Sequence, residues 1–275
     1  VSERDLTTNG SVSAIELRRT ETTYVTDSSF TNRGLISLPS IVQVFAGGSS
    51  TPIARTDYSY DEFGLAAAPG IIMYTDPGTT VRGNVTRTRT YPDITNLANI
   101  IDHTATYDIA GNLITAQLDC CQQKSFVYSS SYFYAYVTSV TSGSSPTLTT
   151  SATYDLNTGL TGVVTDENSQ QTSFFYYVDS LRPEHVDYAD GGRTSYSYND
   201  ALAPNASGEH YYSCVTTRLD ATRSVQSYGF YDGRGAVAQT FDNWTSANGW
   251  STQDVEYDVM GRAFRAGNPY YSSGY

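Results

Sequence analysis

No stretch of this sequence approaches the roughly 18 consecutive apolar residues that a membrane-crossing helix needs. The most apolar run, GLAAAPGIIMY, is broken by Pro69 and Gly70. Membrane insertion is therefore not expected. Basic residues are scarce as well: 16 Lys and Arg face 28 Asp and Glu, a formal net charge of −12. Such a surface repels phosphate backbones and anionic headgroups, which excludes nucleic acid as a partner. Only three side chains, His103, His185 and His210, ordinarily titrate near neutrality, and none stands beside an evident nucleophile in sequence. The reading is a chain that is not an enzyme, with no catalytic residue, metal or cofactor. Long helices are also missing, because 22 Gly and 9 Pro interrupt helical periodicity.

Cysteine is limited to Cys120, Cys121 and Cys214. Adjacent cysteines rarely bond to each other. Either Cys120 or Cys121 pairs with Cys214, which implies an oxidising compartment, or all three are reduced thiols. The leftover thiol counts against the first reading. A zinc site from Cys120, Cys121, His210 and Cys214 fails on spacing: along a strand, His210 and Cys214 lie about 13 Å apart. The carboxylates Asp166 and Glu167, or Asp187 and Asp190, could serve calcium or a glycosidase pair, but they sit in turn sequences where Asp ordinarily caps a backbone N–H. Four sequons, at Asn9, Asn84, Asn205 and Asn243, are candidate glycosylation acceptors.

Strand-forming residues are abundant, with 24 Tyr and 10 Phe among many Thr and Val. The stretch SSYFYAYVTSV alternates, placing Tyr132, Tyr134 and Tyr136 on one face and Phe133, Ala135 and Val137 on the other, which predicts a strand. One motif recurs. Tyr-Asp-x-x-Gly stands at Tyr60, Asp61 and Gly64, at Tyr107, Asp108 and Gly111, at Tyr231, Asp232 and Gly235, and at Tyr257, Asp258 and Gly261. A fifth copy, Tyr154, Asp155 and Gly159, carries one extra residue. Chance yields about 0.1 exact copies, so the recurrence marks a repeat architecture. Each residue has a place in a hairpin: Tyr ends a strand, Asp accepts a turn N–H, and Gly supplies the positive φ that returns the chain. Further turn signals, TDENSQ and YADGGR, fall between copies. The expected fold is all-β, an array of short antiparallel hairpins with no helix beyond two turns.

These copies, the extension to Gly261-Arg262 in YDVMGRAF, and the segment YADGGRTSYSYND resemble the YD-repeat proteins of the Rhs and teneurin group. The resemblance runs from about residue 58 to the end, and it implies a long sheet that spirals into a hollow shell. In that group the shell commonly encloses a carboxy-terminal toxin, or forms part of a cell-surface adhesion receptor. The Asp-Pro-x-Gly-Leu core of toxin-carrying members is missing, since the only Asp-Pro, Asp76-Pro77, continues as Gly-Thr-Thr and reads as a turn. The organisation expected is a divergent repeat-like segment over 1–57 and a YD-repeat array over 58–275, a piece of a longer repeat protein. The expected role is a structural module, secreted or at the cell surface. Its partners would be neighbouring repeats of the parent chain or other copies of itself, around an enclosed toxin. The alternative is an extracellular adhesive or filament-forming protein that binds surface glycans, or itself, through tyrosine-rich faces.

Overall fold

The computed structural model describes residues 2–6, 12–118, 122–200, 211–243 and 249–272. Cys120, Cys121, His210, Asn9 and Asn205 lie outside the described residues, and with them the disulfide and zinc readings. The chain divides into two compact units, Val1–Ser151 and Ala152–Tyr275.

In the first unit the strands are β1 (Ser2–Leu6), β2 (Val12–Tyr24), β3 (Pro39–Ala46), β4 (Pro52–Tyr60), β5 (Val85–Tyr91), β6 (Ile101–Tyr107), β7 (Leu113–Leu118), β8 (Gln122–Tyr128), β9 (Val137–Ser142) and the start of β10 (Leu148–Tyr154). Each pairs antiparallel with the next. The second unit contains β11 (Thr161–Thr165), β12 (Gln171–Tyr176), β13 (Pro183–Asp187), β14 (Arg193–Asn199), β15 (Tyr211–Arg218), β16 (Ser224–Tyr231), β17 (Val237–Asp242), β18 (Trp250–Tyr257), β19 (Ala263–Ala266) and β20 (Tyr270–Ser272). From β11 to β18 the pairing is again sequential and antiparallel, and β18 takes both β19 and β20 along one edge. The one α-helix among the described residues is the four-residue α1 (Ser28–Thr31). The expected all-β hairpin array is what the chain forms.

The tyrosines have a consistent place in this pattern. In the first unit Tyr24, Tyr60, Tyr107 and Tyr128 are the last residues of β2, β4, β6 and β8. In the second, Tyr176, Tyr231 and Tyr257 end β12, β16 and β18. At all seven the ladder slips by a residue between the tyrosine and its predecessor. Such a bulge raises local twist and re-aims the side chain. Alternate strands of an antiparallel meander run the same way, so within each unit these tyrosines line one rim.

The second unit has an aromatic core on one face of β15 to β18. Tyr212, Tyr228, Phe230, Phe241 and Trp250 meet with ring centroids 5.3–6.1 Å apart. Cys214, Phe241 and Thr252 are buried there. A polar ladder crosses β4 to β6 in the first unit. Arg55 bonds Asp57 at 2.7 and 2.8 Å, and Arg87 bridges Glu62 at 3.0 Å and Asp102 at 2.5 Å.

One expected strand forms only in part. Ser130–Tyr132 is a 3-10 turn, Phe133 and Tyr134 are left-handed at φ 50° and 61°, and β9 begins at Val137. Ser129 supplies the competing structure, because its hydroxyl accepts the Ser131 N–H at 3.1 Å. The Tyr132 and Tyr136 rings then meet edge to face at 5.9 Å, a pairing that strict alternation does not anticipate.

Candidate functional site

The Tyr-Asp turns form a repeated constellation of side chains among the described residues. At Asp108 the backbone N–H bonds the Asn112 carbonyl at 3.0 Å, and Gly111 N–H returns to the Asp108 carbonyl at 3.0 Å. The Asp108 carboxylate accepts Ala110 N–H at 2.9 Å and Asn112 N–H at 2.8 Å. Gly111 lies at φ 87°, a conformation that a Cβ would strain. The same five-residue arrangement recurs at Asp232, whose carboxylate takes Arg234 and Ala236 N–H at 2.9 Å each. Asp258 repeats it with Met260 and Arg262 N–H at 2.9 Å each. Gly235 and Gly261 occupy the left-handed position at φ 83° and 78°. The TDENSQ turn copies it without tyrosine: Asp166 accepts Asn168 and Gln170 N–H, and Ser169 takes φ 64°.

Two copies depart from the form. At Asp155 the loop is one residue longer, with Asp155 N–H on the Leu160 carbonyl, Thr158 and Asn157 N–H on the carboxylate, and Gly159 at φ 74°. At Tyr60 the expectation that Gly64 returns the chain is corrected. Asp61 N–H bonds the Asn84 carbonyl, and its carboxylate caps Arg82, Gly83 and Asn84 N–H at 2.8, 2.7 and 3.1 Å. Gly83, at φ 80°, takes the glycine position, and Asp61 itself is left-handed at φ 52°. Residues 62–82 are thus an excursion inserted into the turn. Tertiary bonds hold it: Ala66 donates to the Tyr107 carbonyl and accepts from Ile109 N–H, both at 2.9 Å, flanking Asp108. Ala68 is buried, and so is Asp108, at 2% exposure.

Tyrosine hydroxyls are turned onto the preceding strand. Tyr60, Tyr107 and Tyr257 donate to the carbonyls of Pro39, Val85 and Val237 at 2.8, 2.9 and 2.9 Å, each the first residue of that strand. Tyr231 instead meets the Ser213 hydroxyl at 2.8 Å. Burial pushes the Tyr60 and Tyr107 phenols above their ordinary value. The Tyr60, Tyr107 and Tyr257 hydroxyls therefore each latch a strand end beside a bulge.

Of the carboxylates weighed for calcium, Asp166 and Asp190 cap turn N–H groups as expected, whereas Asp187 is corrected: it ends strand β13 and pairs with an arginine. Asp187 holds the Arg193 guanidinium at 2.5 and 2.7 Å, which keeps it below the usual carboxylate range, and Asp190 caps Gly192 N–H at 2.8 Å. Among the described residues no three His, Cys, Asp or Glu side chains come together. His185 stacks on Phe175 at 4.2 Å and lies 3.9 Å from Asp187, outside hydrogen-bond distance. His103 is exposed and lines an open groove of about 580 Å3 in the first unit, with Thr86, Ala105, Gln117, Gln123 and Lys124. Asp76-Pro77 is a turn, with Gly78 N–H on the Asp76 carboxylate at 2.9 Å. Of the sequons, Asn84 has its amide nitrogen enclosed and Thr86 is buried. Asn243 is bonded through both its amide oxygen and its backbone N–H to Gln226.

Sequence reasoning missed Tyr24 and Tyr128, rim tyrosines that no Asp follows, and the degenerate copy YYVDSLRPE, read around Tyr177 and Asp179, has its strand-ending tyrosine one residue earlier, at Tyr176. Tyr128 answers for the 47-residue gap between Tyr107 and Tyr154: two hairpins span it, and the middle rim position is Tyr128-Ser129, with serine as the cap.

No family model matches the chain, and no curated protein matches it in sequence. Solved structures do. The crystal structure of TcdB2-TccC3 is similar over 92% of this chain with a TM-score of 0.58 and 14% identity. That of TcdB2-TccC3-TEV is similar over 94% with a TM-score of 0.58 and 11% identity. The chain spans only 17% and 20% of those two chains. No helix among the described residues is long and apolar enough to cross a membrane. In fold, this chain is similar to a segment of TcdB2-TccC3, proteins of the Rhs/YD-repeat shell type.

Proposed function

We propose that the chain is a structural repeat module of an Rhs/YD-type protein, forming part of a shell or wall around a cargo encoded elsewhere in the parent chain. The observation that carries this reading is the serial use of one turn. Asp-capped, tyrosine-latched hairpins follow each other along both units, and the fold match to TcdB2-TccC3 extends over nearly the whole chain. A repeated turn of this kind builds surface area rather than a reaction centre. The module performs no chemistry of its own in this reading. Its partners are neighbouring repeats, and its setting is extracellular.

The tyrosine latches weigh against the adhesive alternative, because Tyr60, Tyr107 and Tyr257 spend their hydroxyls on the backbone rather than presenting them to a glycan. Electron microscopy of the full-length parent protein tests the choice. Closed hollow particles with density inside are expected. Open filaments, or retention of the protein on immobilised glycans, would overturn the shell reading and install the alternative.

A further inference from the structure

Four turns, at Asp108, Asp166, Asp232 and Asp258, share one backbone arrangement: the Asp N–H bonds the carbonyl four residues on, and the carboxylate caps residues two and four beyond. At Asp108 and Asp258 the carbonyl of the residue before Asp and the N–H of the residue after it lie outside the turn's own bonds. At Asp108 that pair is occupied. The extended segment Leu65-Ala66-Ala67-Ala68 lies parallel to it, with Ala66 bonded to the Tyr107 carbonyl and the Ile109 N–H.

The residue after Asp tracks this occupancy. Under the docked segment it is Ile109, half-buried. At the Asp166 and Asp232 turns it is Glu167 and Gly233, both exposed and neither needing cover. Asp258 breaks the correlation: Val259 is β-branched and aliphatic like Ile109, yet it is 95% exposed, and Met260 beside it is 76% exposed. Val259 and Met260 thus form two adjacent, uncovered apolar side chains at the tip of the turn, surface that a bound segment would remove from water.

We propose that the Asp258 turn is a docking site for an extended polypeptide segment of small apolar residues, bound in parallel as Ala66 is bound at Asp108. The segment pairs its N–H with the Tyr257 carbonyl and its carbonyl with the Val259 N–H, and its small side chains leave room for Val259 to pack against its backbone. This is strand addition reduced to a single bridge, with backbone bonds giving affinity and side-chain size giving selectivity. An anionic lipid surface is disfavoured by the net charge of −12.

The test is an NMR titration of the 275-residue chain with the peptide acetyl-Gly-Leu-Ala-Ala-Ala-Pro-Gly-amide, the sequence of residues 64–70. Saturable shifts are expected at the Val259 and Met260 amides with a Kd of about 1 mM, a weak value suited to one bridge, and no shift at Glu167 or Gly233. Val259→Pro removes the N–H while suiting the first inner position of the turn, and should weaken binding about tenfold. Val259→Glu, which copies the Asp166 turn, keeps the N–H and removes the apolar contact; it should weaken binding about fivefold. Shifts of equal size at all three turns, no saturation at Val259, or affinity unchanged in both variants would overturn the proposal. So would shifts at Val259 that depend on protein concentration without peptide, which would identify a second copy as the occupant.

Discussion

The turns at Asp108 and Asp258 use the same bonds, with lengths that agree within 0.1 Å, and they differ in what lies on top of them. The first is covered by the excursion of residues 62–82 and its carboxylate is buried. The second carries Val259 and Met260 into solvent and is touched only at its base, where Arg234 Nη1 donates to the Asp258 carbonyl at 3.2 Å. Local sequence is thus sufficient for the turn, and burial is a separate decision taken by a distant segment. The comparison turns into numbers when the same substitution is made at both sites.

Asp→Ala is the largest expected effect. At Asp108 it removes the buried acceptor of Ala110 N–H, Asn112 N–H and one Asn112 amide hydrogen, beneath the docked Ala66 segment. A loss of roughly 2–4 kcal/mol is expected from that many unsatisfied donors. Asp258→Ala exposes its freed N–H groups to water and should cost clearly less. Urea unfolding of the two variants measures the difference, and equal losses would mean that the excursion contributes nothing to the Asp108 turn.

Arg82→Ala should make the covered turn behave like the bare one. Its guanidinium bonds the Thr79 carbonyl at 2.9 Å, the Tyr74 hydroxyl at 3.1 Å and the Ile109 carbonyl at 3.4 Å, so it staples the excursion to itself and to the turn beneath. Losing it should cost about 2 kcal/mol. Hydrogen exchange gives the sharper reading: the Ala66 and Ile109 amides should exchange faster together, because they open as one unit. Unchanged protection at Ile109 would show that the Ala66 bridge stands without the staple.

Much of this was legible in residue order, and the part that was not has a common cause. The hairpins could be read because Asp, Gly and the strand-ending Tyr act within five residues of each other, as at Asp232 and Asp258. The rim positions at Tyr24 and Tyr128 could not, since their tyrosines lack the Asp that marked the others. Gly64 misled for a different reason. Its spacing from Asp61 satisfies the motif, but Gly83 takes the role because Ala66 bonds Tyr107 at the end of β6 and Ile109 in the Asp108 turn, contacts some 40 residues away in sequence. Phe133 and Tyr134 fit a strand by alternation and sit instead in left-handed conformations set by the Ser129 cap. Local chemistry was readable, and tertiary cover was not.

Glycine substitution should separate turn from cover. Gly111 and Gly261 sit at φ 87° and 78°; an added Cβ meets nothing within 4 Å at the first and only an Arg234 nitrogen at 3.8 Å at the second. The penalty is then backbone strain alone, about 1 kcal/mol at either site. Near-identical losses for Gly111→Ala and Gly261→Ala, beside unequal losses for the aspartates, would confirm that cover acts on the carboxylate and not on the backbone. A Gly111→Ala loss well above that of Gly261→Ala would refute the separation.

The smallest effect expected is a pH dependence that belongs to the bare turns of the second unit. Asp155, Asp232 and Asp258 are held below the usual carboxylate range, chiefly by backbone N–H donors from Thr158, Ala236 and Arg262. Because the folded values lie below the unfolded one, the native state binds fewer protons than the unfolded chain in the acid range. Their stabilising contribution is therefore complete above the unfolded value of about 3.9, and it disappears as pH falls through the folded values. The variant Asp155→Asn/Asp232→Asn/Asp258→Asn keeps an acceptor oxygen at each turn and removes the titration. It should be less stable than the unsubstituted protein at neutral pH, and the gap should close as pH falls below about 4. Asp155 is exposed and Asp232 and Asp258 keep about a quarter of their side chains in solvent, so the gap should also shrink when salt is raised. Urea midpoints measured at neutral and acid pH test this, and a gap that stays constant across the range would mean that charge plays no part in these caps.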